Sequence, residues 1–341
     1  MNVVTVPFVL PWAAFAALWA MLAVAVCVVH VPARPRLAAL DAEQRAGLLL
    51  ALALLPFATA AGATVLAFAP AIGGFVVDAH CHADVGCSVH VPTLRLDASL
   101  AALLVLIAVT VSAAIGCSAS SGLRRSLLVT RALAVLGTPA GRLARLPKGA
   151  VPIEIADSRE RFAYCTGLLR PRIVVSTTML DALAPAEREA VLAHELAHAA
   201  RRDNLRGLAA GISLWPVPRR LKQSLLRDLA AAAELACDRR AAARVGGAAA
   251  VAAALATAHA PHTRPDTSDH CARRGMRSAW SRADAPFDSV RERVTALDGA
   301  PGKRLPAGLT AMFVTAVYVA VTLGATLAAH HGTELLIAWL G

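Results

Sequence analysis

Charge and tyrosine are both scarce in this sequence: 17% of its 341 residues are charged and two are Tyr. With 57% hydrophobic residues and a mean hydropathy of +0.57, the chain is too apolar for an ordinary soluble domain of this length. Basic residues are missing from particular places as well. None precedes Arg34 and none follows 305, although the net charge is +11. No finger, helix-turn-helix or RNA-binding signature accompanies that charge, so direct nucleic-acid binding is not expected. Internal repeats of roughly 20–50 residues are absent too, which excludes a solenoid.

What the chain does have is four apolar runs, 7–30, 46–72, 98–119 and 306–329, each free of Lys, Arg, Asp and Glu. Each is long enough to cross about 30 Å of hydrocarbon as a helix, the one form that satisfies an isolated run's backbone in lipid. Pro56 lies inside the second run and is expected to kink it. Of the 34 Lys and Arg residues, 30 lie in 120–305, three in 31–45 and one in 73–97. Because positive residues gather on the cytoplasmic side, 31–45 and 120–305 are expected inside, and 73–97 and both termini outside. The first run, with no basic residue ahead of it and longer than a usual leader core, reads as an anchor. The expected fold class is a mainly α membrane protein with four transmembrane helices. It divides into a membrane region over 1–119, a cytoplasmic α+β domain over 120–305, and a fourth helix with a short external tail over 306–341.

The cytoplasmic stretch opens on Arg124, Arg125 and Arg131, which fit either an amphipathic helix on anionic lipid or a solvated linker. Short β-prone runs follow at 151–155, 162–166 and 172–176, and the last is expected at a sheet edge where an extended substrate adds by backbone pairing. A helix is expected from Pro185, with Glu187 and Glu189 near its positive end. The apolar piece 205–217 is too short to span and reads as a buried or, preferably, an interfacial helix. A long helix over 221–245 ends at Gly246-Gly247. The stretch 259–286 reads as a loop, and its His259, His262, His270 and Cys271 match no standard ligand spacing.

The chemistry concentrates in His194-Glu195-Leu196-Ala197-His198, an H-E-x-x-H inside an apolar, helix-forming run. Residues four apart share one helix face, so both imidazoles can reach one zinc ion while Glu195 is placed as general base. A catalytic zinc needs a third protein ligand, and Glu234-Leu-Ala-Cys-Asp238 supplies Glu234 for the metal and Asp238 to hold a ligand imidazole. Cys237, out of register with both, is not expected to ligate. Glu195 is expected to take a proton from the attacking water and return it to the leaving amine. Which Arg, His or Tyr164 stabilises the oxyanion stays open.

The residues 167–176, 183–198, Arg202-Asp-Asn204 and 234–240 resemble the M56 family of membrane metallopeptidases, which includes antibiotic-sensor proteases. The resemblance implies a gluzincin-like domain with one Zn2+ per chain. It implies cleavage of a protein or peptide on the cytoplasmic side, as in signal-dependent cleavage of a transcriptional repressor. Its plan of three helices, a protease domain and a fourth helix matches the topology read from charge. The departure is at the end, where His330 to Gly341 leave no room for a penicillin-binding sensor domain. Two other readings stand beside it: a non-catalytic membrane scaffold with a structural zinc, and a quality-control protease like the M48 family, against which three helices before the domain rather than two argue. Membrane lipid is the further expected partner.

The outer loop carries His80-Cys81-His82, Cys87 and His90. Outside the cytoplasm a Cys81–Cys87 disulfide is favoured, while the same residues with His could hold zinc or copper. Cys27 and Cys117 read as packing residues, and Cys165, Cys237 and Cys271 face a reducing compartment.

Overall fold

The computed structural model describes residues 3–5, 8–69, 76, 80–82, 86–88, 95–139, 151–259 and 290–340. It is mostly helical: α1 Val9–Ala38, α2 Ala42–Phe68, α3 Ala98–Leu136, α4 Thr177–Ala182, α5 Pro185–Arg201, α6 Asp203–Ser213, α7 Arg219–Val245, α8 Ala248–His259, α9 Val290–Asp298 and α10 Ala307–Leu340. Among the described residues, four helices are long and apolar enough to cross a membrane, over Val9–Ala38, Ala42–Phe68, Ala98–Ser121 and Ala307–Ile337. Phe8, Met21, Val28, Leu106, Met312 and Phe313 are exposed on or beside them, a surface that lipid rather than water would cover. These features mark a multi-pass membrane protein.

The helices overrun the expected limits. The first continues through Pro32 and Pro35, so that only 39–41 separate it from α2. The third runs on to Leu136, which makes the basic stretch after 119 part of one continuous helix instead of a separate amphipathic one or a linker. The tail expected beyond 329 is likewise helix, the end of α10.

The eight short strands are β1 Val3–Thr5, β2 His80–His82, β3 Gly86–Ser88, β4 Arg95–Asp97, β5 Gly137–Pro139, β6 Ile153–Ala156, β7 Ala163–Thr166 and β8 Arg172–Ser176. The largest sheet has the order β5-β6-β8-β7, with β6 parallel to β8 and the other pairs antiparallel. The strand 172–176 is therefore interior, and β5 and β7 are the edges. That corrects the expectation for Arg172–Ser176, and the reason is burial: Ile173, Val174 and Val175 are covered on both sheet faces, which suits a central strand. The β7–β8 turn needs Gly167, at φ 87, where a Cβ would stand 2.4 Å from the Arg170 carbonyl oxygen. In the β2–β3 hairpin Cys81 pairs directly with Cys87. The loop ligands His262, His270 and Cys271, and His90, lie outside the described residues.

One apolar core runs from membrane helices into the helices of the H-E-x-x-H region. It joins Ala23, Val26 and Cys27 of α1, Leu49 and Ala53 of α2, Ala210 of α6, and Leu225 and Leu229 of α7. The helix expected at the interface is thus α6, packed against α2, with the turn after it reaching α1. The Trp19 indole donates to the Ser213 carbonyl at 2.6 Å and stacks on Trp215, and Ser213 Oγ accepts from the Phe57 amide beside Pro56. Lys222 Nζ donates to the Leu214 carbonyl at the end of the turn. A polar tie adds to this packing: Asp228 of α7 accepts from Arg34 at 2.7 and 3.0 Å and lies 3.1 Å from His30 of α1. Burial would raise the Asp228 carboxyl, but His30 and Arg34 outweigh it and hold it at about 2.

A second core lies under the sheet, where Val175, Met179, Leu183, Ala190, Ala193, Ala241, Val251 and Leu297 meet. It clamps α5 between β8 and α8, and so fixes the helix that carries the motif.

Candidate metal centre

Helix α5 begins with Pro185 in its first turn and with Glu187 accepting from the Ala184 amide at 3.1 Å. It ends at Arg202, the one described non-glycine residue with positive φ, at 53°. The left-handed residue breaks the helix after a single turn past His198 and sends Asp203 back toward it. Such a conformation costs a non-glycine residue about 1 kcal/mol. Since the Arg202 side chain is exposed, Arg202→Gly should raise the thermal midpoint by the equivalent of about 1 kcal/mol. Arg202→Ala should leave it unchanged; equal shifts in both would show that the side chain, not the backbone, sets the cost.

His194 and His198, one turn apart on α5, put their Nε2 atoms 3.0 Å apart. Glu234 of α7 closes the triangle, with Oε2 3.5 Å from His194 Nε2 and Oε1 3.5 Å from His198 Nε2. Tetrahedral zinc with ligand atoms at about 2.0–2.1 Å would separate those atoms by about 3.3 Å. The observed distances bracket that value, so two imidazoles and a carboxylate fit a zinc ion without rearrangement.

Each imidazole is held from behind. His194 Nδ1 is 2.9 Å from Asp238 Oδ1, the partner expected from the sequence. His198 Nδ1 is 2.8 Å from Asp203 Oδ2, a partner for which spacing alone assigns no role. Both carboxylates are themselves fixed by arginines. Arg293 of α9 donates to Asp238 at 2.7 and 3.1 Å and approaches Glu234 at 3.3 Å, and Arg201 Nε donates to both Asp203 oxygens at 3.1 Å. These contacts orient both rings with Nε2 toward the common point.

The electrostatics follow. Burial would lower the His194 imidazolium, but hydrogen bonds to Asp238 and Glu234 outweigh it and carry it to about 10. His198 is also raised, against burial, by the Glu234 charge and the Asp203 hydrogen bond. Glu234 is pulled well below the usual carboxylate range, again against burial, by the two imidazoles. Without zinc, the paired rings therefore hold protons more tightly than free imidazoles do, and a metal must displace them. Apparent zinc affinity should climb between about pH 7 and 9 as those protons are lost. Chelator competition across that range reads it, and affinity that levels off above about pH 7.5 would mean that the imidazoles are ordinary.

Glu195 is buried, and its charge is felt by Arg293 and by the Cys165 thiol of β7. Burial, with Glu195 next, pushes that thiol up to about 12, which keeps it inert. Strand β7 thus runs beside α5, and Asn204 ties it there by donating to the Cys165 and Gly167 carbonyls at 3.0 and 3.3 Å. Tyr164 points the other way and packs with Phe162 against Ala156 and Val174, so it is no candidate for the oxyanion.

A second group of possible ligands, His198, Asp203 and Cys237, adjoins the first. The Cys237 thiol, expected to stand aside, is 3.7 Å from Asp203. Arg201 occupies both Asp203 oxygens, and Asp203 and Cys237 are buried, so the group suits support of His198 better than catalysis.

Comparison with known proteins points to a peptidase. The model of Peptidase family M48 matches residues 129–263. A segment of 61 residues is 43% identical to the protease HtpX homolog 2 of Methanosarcina mazei, covering 18% of this chain and 21% of that protein. The chain thus aligns with about a fifth of the length of this curated relative. No solved structure matches significantly. The similarity is to a membrane metallopeptidase, and the matching family is M48, not the M56 family that the motifs resemble.

Proposed function

We propose that the chain is an integral-membrane zinc endopeptidase that hydrolyses peptide bonds on the cytoplasmic side, with one zinc ion held by His194, His198 and Glu234. The observation that carries this reading is the convergence of three donor atoms at zinc-ligand spacing, with a carboxylate behind each imidazole. Zinc bound there would polarise the scissile carbonyl and acidify water. Glu195, on the same helix and buried beside Arg293, takes the proton of the attacking water and delivers it to the leaving nitrogen. Edge strand β7 offers its open side to an extended substrate segment. Its tie to Asn204 sets that segment's height above α5.

The concentration of Arg in 120–305 supports an N-out, C-out arrangement with the protease region, 120–305, inside. The register of β2 and β3 supports a Cys81–Cys87 disulfide over a metal-sensing loop. Between the two kinds of peptidase, the family match over 129–263 favours a quality-control protease of the M48 type. Signal-triggered cleavage of a transcriptional repressor rests on the M56 resemblance alone. A scaffold with a structural zinc would need no buried carboxylate at Glu195. Incubation of the purified chain with membrane extract, and with itself as substrate, tests the proposal: chelator should stop cleavage and added zinc restore it, whereas cleavage indifferent to both would overturn it.

A further inference from the structure

The turn between α1 and α2 reaches the metal centre by a chain of charged contacts that catalysis as described above does not use. Glu43, in the first turn of α2, pairs through Oε1 with Nη1 of Arg201, whose residue is only 4% exposed. From Arg201 the contacts pass to Asp203 at 3.1 Å and from Asp203 to His198 Nδ1 at 2.8 Å. The other Glu43 oxygen is 3.1 Å from Arg240 Nη2 on α7, two residues beyond Asp238. One carboxylate on a membrane helix therefore touches the end of α5, which brings both histidines, and α7, which brings Glu234.

Its position is fixed. Asp41 caps α2 by accepting from the Glu43 amide at 3.1 Å, and the positive end of the helix dipole favours a carboxylate there. The same turn is pinned to the segment entering α10: the Asp41 amide donates to the Lys303 carbonyl and the Lys303 amide to the Ala39 carbonyl, at 3.0 and 2.9 Å. Asp41 also pairs with Arg239 of α7 at 3.4 Å, a contact that does not run through Arg201 and Asp203 to His198.

We infer that Glu43 is a positioning residue for the zinc site: through Arg201 and Asp203 it holds His198, and through Arg240 it holds α7, so that the seat of the metal depends on where the α1–α2 turn stands. Without that charge, Arg201 and the nearby Arg206, 3.8 Å from Asp203, share one carboxylate. Asp203 is then drawn toward the arginines and away from the imidazole. A shift of the membrane helices would act on the site through the same contacts. The inference rests on the zinc reading of the site.

The test uses the full chain in detergent or bilayer. Zinc affinity is measured by chelator competition for the parent, Glu43→Gln, Glu43→Asp and Asp41→Asn, with kcat and KM on the best available substrate. Loss of a direct partner of a ligand weakens metal binding by about 10–100-fold; one step further back, Glu43→Gln should weaken it about 10-fold and lower kcat with KM unchanged. Glu43→Asp keeps the charge one methylene short of Arg201 and should lie between the parent and Glu43→Gln. Asp41→Asn keeps the cap and loosens the same junction, and should leave zinc affinity as in the parent. Parent-like affinity in Glu43→Gln overturns the inference, as does an equal loss in Asp41→Asn, which would make the junction merely structural. If Glu43→Gln does not fold, Glu43→Asp decides: a shorter carboxylate with parent affinity and an unfolded amide would mean that the charge serves folding, not the site. A parent that holds no zinc overturns the metal reading itself, and this inference with it.

Discussion

Glu195→Gln should lower kcat/KM by about 10³, within the range of roughly 10²–10⁴ for a positioned general base, while leaving zinc content at one per chain. That factor corresponds to about 4 kcal/mol of transition-state stabilisation. The effect should be large because the neighbouring carboxylates are committed elsewhere. Glu234 faces both imidazoles, Asp238 is held by His194 and Arg293, and Asp203 by His198 and Arg201. The amide keeps the size of the side chain, so α5 and the two histidines stay in place. Cleavage assays beside metal analysis read the two quantities separately. A variant that still cleaves at the parent's rate would remove Glu195 from the mechanism, and one that loses zinc together with activity would make its role structural.

Glu234→Ala should have a different signature, with zinc and cleavage lost together. Two imidazoles alone make a weak site, and a catalytic zinc takes three protein ligands. The substitution also strips Arg293 of one of its two carboxylates in a buried position where the guanidinium is 15% exposed. Leaving a buried charge half compensated costs several kcal/mol, so α9 should loosen from α7 as well. The expected result is at least a 100-fold loss of zinc affinity, with a fall in thermal midpoint. Retention of zinc at parent affinity would show that the ion sits elsewhere, and the neighbouring group around Cys237 would be the first place to look.

The parts of this site that were legible in the sequence are those that local periodicity controls. His194, Glu195 and His198 share a helix, as do Glu234 and Asp238, and the helical repeat alone puts each set on one face. The limits of β6, β7 and β8 were also close to the expected runs, because β-prone residues and the turn residues between them mark them. Strand order was not legible, since whether 172–176 is an edge depends on pairing with segments up to 20 residues away.

The supporting charges escaped for the same reason. Asp203 lies five residues past His198, off the helical repeat, and reaches it only because Arg202 turns left-handed. Its signal was the Arg202-Asp-Asn204 triplet just after the motif. Arg293 is 55 positions from Asp238 and Glu43 is 158 from Arg201, and no spacing rule spans such distances. Nor could hydropathy show that α6 packs against α2: the piece 205–217 is as apolar as an interfacial helix, and only the fold says what lies against it.

X-ray absorption at the zinc edge of the purified full-length chain tests the central claim most directly. The account predicts one zinc per chain with a first shell of nitrogen and oxygen at about 2.0–2.1 Å and no sulfur. A sulfur neighbour at about 2.3 Å would place the ion on Cys237 instead, and a chain without zinc would contradict the account altogether.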